Sequence, residues 1–301
     1  MIETQIVGKQ QIEKLIEDVK NNEKLIKEIL KMMAEGKQIS ENQQLAIKYS
    51  MIAYVVSSAI PKEYFDRIII KIKKHDVNDG NQLGCFKKED KKYCVTYNSF
   101  DFSFKENVNL SLISLSTFGH EIRHIRQIIN AENGVLDIVT LMFSLEEILH
   151  RYLDNYYSEN YSKLFMEVEA DLCGNIYTKG YFEKYGKKES FLEKFVEYMS
   201  DLYKPEWRNY KDYEYIKNHV KDMILLINDN PSVSSQVYMS NLKTLIHVMD
   251  GNGKIYSPEH FEKELINNDF TNDSSNYLFS KKAFYELLKD ISNDLENIKE
   301  R

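Results

Sequence analysis

Leu115-Ser116-Thr117-Phe118-Gly119-His120-Glu121-Ile122-Arg123-His124-Ile125 is the stretch on which the reading of this chain turns. Leu115, Phe118, Ile122, Ile125 and Ile129 recur at steps of three and four, the spacing of one buried helix face, and predict a helix over 108–131. His120 and His124 are four residues apart, so both imidazoles lie on one face of that helix with Glu121 beside them. An H-E-x-x-H so placed suits one small divalent cation held by two ring nitrogens, with a carboxylate poised as general base toward bound water.

A catalytic zinc ion takes three protein ligands and keeps one position for water. The third ligand must come from elsewhere, and Phe165-Met166-Glu167-Val168-Glu169-Ala170-Asp171 offers it, on a second helix predicted over 161–179 and ended by Gly180. Glu167 and Asp171 are four apart and share a face. One carboxylate of that pair can bind the metal; the other can accept a hydrogen bond from the far nitrogen of a ligand imidazole, which fixes the tautomer. Glu169 sits about 200° round the helix from Glu167, so the two cannot both face one ion. The spacing to Asp171 favours Glu167.

The pairing of H-E-x-x-H with a downstream E-x-x-A-D resembles the gluzincin group of zinc metallopeptidases, over roughly residues 92–180. Phe118-Gly119 before the first histidine and Ile125 after the second fit the surroundings of that motif. The resemblance implies a zincin-like core, a small sheet with a motif helix and a third-ligand helix. It implies Zn2+ held by His120, His124 and Glu167, with Asp171 orienting a ligand histidine and Glu121 as the catalytic base. It implies hydrolysis of peptide bonds in a peptide or protein substrate. Two features depart from the pattern. Arg123 places a charge inside the motif and must face solvent or meet a carboxylate, and an extra predicted helix separates His124 from Glu167.

The rest of the chain reads as an α+β protein, mainly α. With 4 prolines and 11 glycines in 301 residues, long helices are favoured over a turn-rich sheet architecture. Apolar periodicity predicts helices over 9–35 and 41–59, the latter closed by Pro61, then over 135–157 after a break at Gly134, and over 188–203, 211–228, 234–249, 258–267 and 280–299. Arg67–Lys73 reads as a strand, and Cys85–Lys88 with Tyr93–Tyr97 as a hairpin that Phe102 and Phe104 extend. The N-terminal residues are taken to lead straight into the first helix. This divides the chain into N-terminal helices (1–60), a zincin-like core (61–180) and a helical C-terminal part (181–301).

A net charge of −7 argues against a general nucleic-acid binder, and the basic run Lys62–Lys74 reads as a solvated strand edge. No run of about 18 apolar residues appears, so no membrane span is expected. No basic-then-apolar leader is visible, and Cys85, Cys94 and Cys173 make no disulfide framework, although the first two could meet across the hairpin; a cytoplasmic protein with reduced thiols is the expectation. Tyr93–Tyr97 is the candidate sheet edge for an extended substrate. The sequence does not select an oxyanion donor from His150, Tyr156, Tyr157, Arg208, His219 and His247. Asp250–Glu259 has part of a calcium-loop pattern, but Val248 falls on its first ligand position and a Gly-rich turn is the reading preferred. Tyr203–Tyr215, rich in aromatic and charged residues, reads as interhelix packing. The alternative to a peptidase is a non-proteolytic binding or regulatory protein that keeps a structural zinc. Substrate, cleavage preference, latency and oligomeric state are not written in the sequence.

Overall fold

The computed structural model describes residues 2–74, 84–89, 91–99, 108–133, 138–152, 164–186 and 213–228, with positions 290 and 293 helical. In chain order the elements are β1 (Ile2–Val7), α1 (Gly8–Asn21), α2 (Glu23–Ala34), α3 (Glu41–Ala59), a 3-10 turn (Lys62–Arg67), β2 (Ile68–Lys74), β3 (Gly84–Glu89), β4 (Lys92–Ser99), α4 (Val108–Glu132), α5 (Ile138–Tyr152), α6 (Phe165–Tyr185) and α7 (Tyr213–Asn228). The protein is mainly helical with one small mixed sheet, an α+β architecture. Two compact units are distinguished, Met1–Arg126 with Ala170–Tyr203, and Gln127–Glu169 with Lys204–Arg301. Among the described residues no helix is long and apolar enough to cross a membrane.

The first unit holds the sheet, in the order β1-β2-β4-β3. Ile68, Ile70 and Ile72 are buried while Ile69, Lys71 and Lys73 are half-buried, the period of two expected of a strand with one face on a core. β4 runs parallel to β2, Ile68 opposite Tyr93 and Ile72 opposite Tyr97, which brings Tyr93, Val95 and Tyr97 onto the same buried face. β3 returns antiparallel along the other side of β4, Gly84 opposite Tyr97 and Glu89 opposite Lys92. β4 is therefore paired on both flanks, and Tyr93–Tyr97 is not the sheet edge that the sequence suggested. Among the described residues the outer strands are β1 and β3, because the hairpin folds away from β2 rather than toward it. Cys85 lies opposite Thr96 and Cys94 opposite Lys87, and neither these two nor Cys173 is in a disulfide.

Three further expectations are corrected within this unit. Ile2–Val7, taken to lead into a helix, forms β1 and pairs antiparallel with β2; its alternation of Ile2, Thr4 and Ile6 is short and was outweighed by the charged helix after it. The helix predicted over 9–35 breaks at Asn22, whose side-chain amide donates to the Asp18 carbonyl at 2.8 Å and so competes with the helical ladder. Gly180 does not end α6, which continues to Tyr185. A Cβ at Gly180 would run into the Tyr54 hydroxyl, so the glycine there makes room for α3.

That contact is part of a fastening between α3 and α6. The Ser50 and Tyr181 hydroxyls share a hydrogen bond of 2.6 Å, and the Tyr54 ring meets Tyr181 and Tyr185 edge-on. Burial pushes the Tyr181 phenol far above its ordinary pKa, so it stays neutral. α3 begins with the capping box Ser40/Gln43, in which the Ser40 Oγ accepts from Gln43 N and the Gln43 side chain accepts from Ser40 N. Its predicted bounds, 41–59, are those observed.

The second unit contains α5, α7, the last turns of α4 and the first turn of α6. α5 packs on α7, where Ile216, Val220 and Met223 form the buried stripe. Ala131, Phe143, Leu164 and Met166 make a second cluster, against which Ile128 packs. The helices predicted over 188–203, 234–249 and 258–267, most of 280–299, Phe102, Phe104, Gly134 and the 250–259 loop lie outside the described residues.

Candidate metal centre

α4 and α6 approach each other through glycine. A Cβ at Gly119 would stand 2.9 Å from the Gly174 Cα, and one at Gly174 would meet the Ser116 carbonyl oxygen of α4. One turn toward the N-terminus of α4, Ser116 Oγ donates to Asn175 Oδ1 at 2.6 Å. One turn along α6 in the other sense, His120 Nδ1 lies 2.7 Å from Asp171 Oδ1. A carboxylate only accepts, so Nδ1 carries the proton, and when the ring is neutral Nε2 presents its lone pair.

That lone pair has company. His124 Nε2 stands 3.0 Å from His120 Nε2, with the two rings almost perpendicular at 89°. Two ligands of a tetrahedral zinc at about 2.05 Å are separated by roughly 3.3 Å, so the imidazole pair is close to the spacing that an ion between them requires. His120, His124 and Glu167 are all buried, and their candidate ligand atoms lie within 4.8 Å of one another. Among the described residues no other group of histidine, cysteine and acidic side chains converges in this way. Two nitrogens and one oxygen, with a second carboxylate fixing one ring, is a donor set that zinc accepts.

The other predicted site residues are also placed. Glu121 is half-buried and lies against β3: a Cβ at Gly84 would come within 2.8 Å of its Cγ and 3.1 Å of its Oε1. Phe86, two residues along β3, sets its ring 6.4 Å from that of His124. Burial first, and the Glu121 charge second, push the Cys85 thiol above its usual range, so Cys85 is a poor nucleophile at neutral pH. Arg123 is half-buried. Glu169 is buried and accepts from Gln127 Nε2 at 2.8 Å. Of the candidate oxyanion donors, His150 is exposed and His219 lies 3.7 Å from Glu146 and stacks on Tyr215. Tyr156, Tyr157, Arg208 and His247 lie outside the described residues.

Sequence reasoning missed Gly119, Gly174 and Gly84 as determinants of the site, and missed Gln127. A signal for the first two was present, since glycine inside a predicted helix often marks a close backbone approach. Gln127 and Gly84 carry no such local mark. No protein-family model matches the chain, and no curated protein and no solved structure matches it either.

Proposed function

We propose that the chain is a zinc-dependent metallopeptidase of the gluzincin type, built on a zincin-like core. The observation that carries this reading is the convergence of His120, His124 and Glu167, with the far nitrogen of His120 held by Asp171. Zinc held by His120, His124 and Glu167 would supply a water whose pKa is lowered to about 7 and would polarise a carbonyl. Glu121, next to His120 and half-open to solvent, would serve as the general base, taking up a proton and returning it to the leaving amine. Asp171 holds the His120 tautomer through the cycle.

Substrate binding falls to β3. It is the last strand in the sheet order, and a Cβ at its first residue, Gly84, would meet the Glu121 side chain. An extended peptide added alongside β3 would run past the general base, its main chain hydrogen-bonded and its side chains alternating between the two faces. The substrate class is therefore a peptide or an unfolded segment of a protein.

The test combines metal content with cleavage of a peptide library. The native protein is expected to hold one zinc, His120→Ala and Glu167→Ala to lose it, and Glu121→Gln to keep it without cleaving. A native protein that keeps zinc and cleaves nothing supports the structural-zinc alternative. Full zinc content in His120→Ala refutes both.

A further inference from the structure

The first turn of a helix has amide N–H groups with no partner inside the helix, and they are usually met by a short polar side chain at the N-cap. Leu164 precedes α6 and offers none. The work is done from a distance. Glu146 of α5 is fully buried, and its two oxygens accept one N–H each, Oε1 from Phe165 at 2.6 Å and Oε2 from Met166 at 2.9 Å. A second buried side chain, Gln127 of α4, sits one turn past His124 and donates from the same Nε2 to the Met166 carbonyl at 2.9 Å and to Glu169 Oε2 at 2.8 Å.

Glu167 lies between the residues so gripped. Its preceding neighbour is held at both its N–H and its carbonyl, and the residue two beyond is held by its side chain. Rotation and sliding of this turn are both blocked. Burying Glu146 and Glu169 is expensive for a helix start that one N-cap serine would satisfy at the surface. His219, 3.7 Å from Glu146, is too distant for a good hydrogen bond and lightens that cost only electrostatically.

We propose that Gln127 and Glu146 are positioning residues that set the Glu167 carboxylate in register with the two imidazoles. This rests on the reading of Glu167 as a metal ligand. Neither residue touches the ion; each acts by fixing the turn that presents the third ligand.

The experiment uses the full chain, with zinc affinity read by chelator competition and ligand geometry read from the visible absorption of the cobalt-substituted protein. Gln127→Ala and Glu146→Gln are compared with Val220→Ala, a packing change in the buried stripe of α7. The first two are expected to weaken zinc binding about 10- to 100-fold and to shift the cobalt spectrum. Val220→Ala is expected to lower the thermal midpoint of the metal-free protein and leave both metal readouts unchanged. The proposal is overturned if Gln127→Ala and Glu146→Gln leave affinity and spectrum at wild-type values, or if Val220→Ala changes them as much. Should Glu146→Gln not fold, Gln127→Ala decides alone. If Glu167→Ala loses zinc while the two positioning variants keep it, only this inference fails. A wild-type protein that binds no zinc removes the proposed function as well.

Discussion

Gly119 of α4 and Gly174 of α6 stand so close that a Cβ on the first would lie 2.9 Å from the Cα of the second. Everything in the candidate centre depends on that separation, since the His120–Asp171 hydrogen bond is made one helical step away.

Gly174→Ala tests the dependence. Glycine to alanine inside a helix ordinarily stabilises by about 0.5–1 kcal/mol. Here the new methyl would strike the Ser116 backbone carbonyl, which cannot swing aside, and overpacking costs about 1–3 kcal/mol. The second effect wins. Chemical denaturation is expected to show a net loss of stability, with weaker zinc binding as α4 and α6 are pushed apart; a gain in stability would contradict the packing described.

Gly84→Ala should behave differently. Its methyl would meet Glu121 Cγ at 2.8 Å and Thr117 Cγ2 at 3.1 Å, but both are side-chain atoms and can turn aside where a backbone carbonyl cannot. Thermal stability and zinc content should hardly change. Peptide cleavage should fall on the order of 100-fold, the cost of displacing a catalytic group by about 1 Å. Equal losses of activity and zinc would argue that β3 supports the metal ligands rather than the base.

Glu167 and Glu169 can be separated by their metal affinity. Glu169 is already committed to Gln127, whereas Glu167 belongs to the histidine cluster. Glu167→Ala is expected to abolish high-affinity zinc binding and Glu169→Ala to weaken it only by loosening Gln127. The reverse order in a chelator titration would reassign the third ligand.

Glu146 should leave a mark on stability against pH. Burial raises its carboxyl pKa, against the pull of His219 and of the Met166 and Phe165 amides. A carboxyl that holds its proton more tightly when folded stabilises the protein most where it is protonated in both states. That contribution is lost as pH rises from the unfolded value, about 4.3, through the raised folded value. Urea midpoints over this span should fall in the wild type relative to Glu146→Gln; parallel curves would show that Glu146 does not titrate there.

The sequence carried the parts of this protein that rest on local spacing. His120 and His124 share a face because of helical periodicity, and α3 could be bounded because Ser40, Gln43 and Pro61 are local signals. The same logic brought Glu167 and Asp171 to one side of α6. It failed where a distant partner decides. Gly180 resembles a helix end until Tyr54 is seen packed on it, and Tyr93–Tyr97 resembles an edge until β2 pairs with it along its whole length. Glu146 carries no mark in the sequence, since nothing nearby announces the Phe165 and Met166 amides it accepts from.

α4 and α6 meet as an antiparallel ladder, Ser116 with Asn175 and His120 with Asp171, the two rungs four residues apart on both rails. Such a ladder tolerates no change of count. Deleting one residue between Glu167 and Asp171 would turn one of them about 100° off the shared face, leaving a well-formed helix that could serve either the imidazole or the proposed ion but not both.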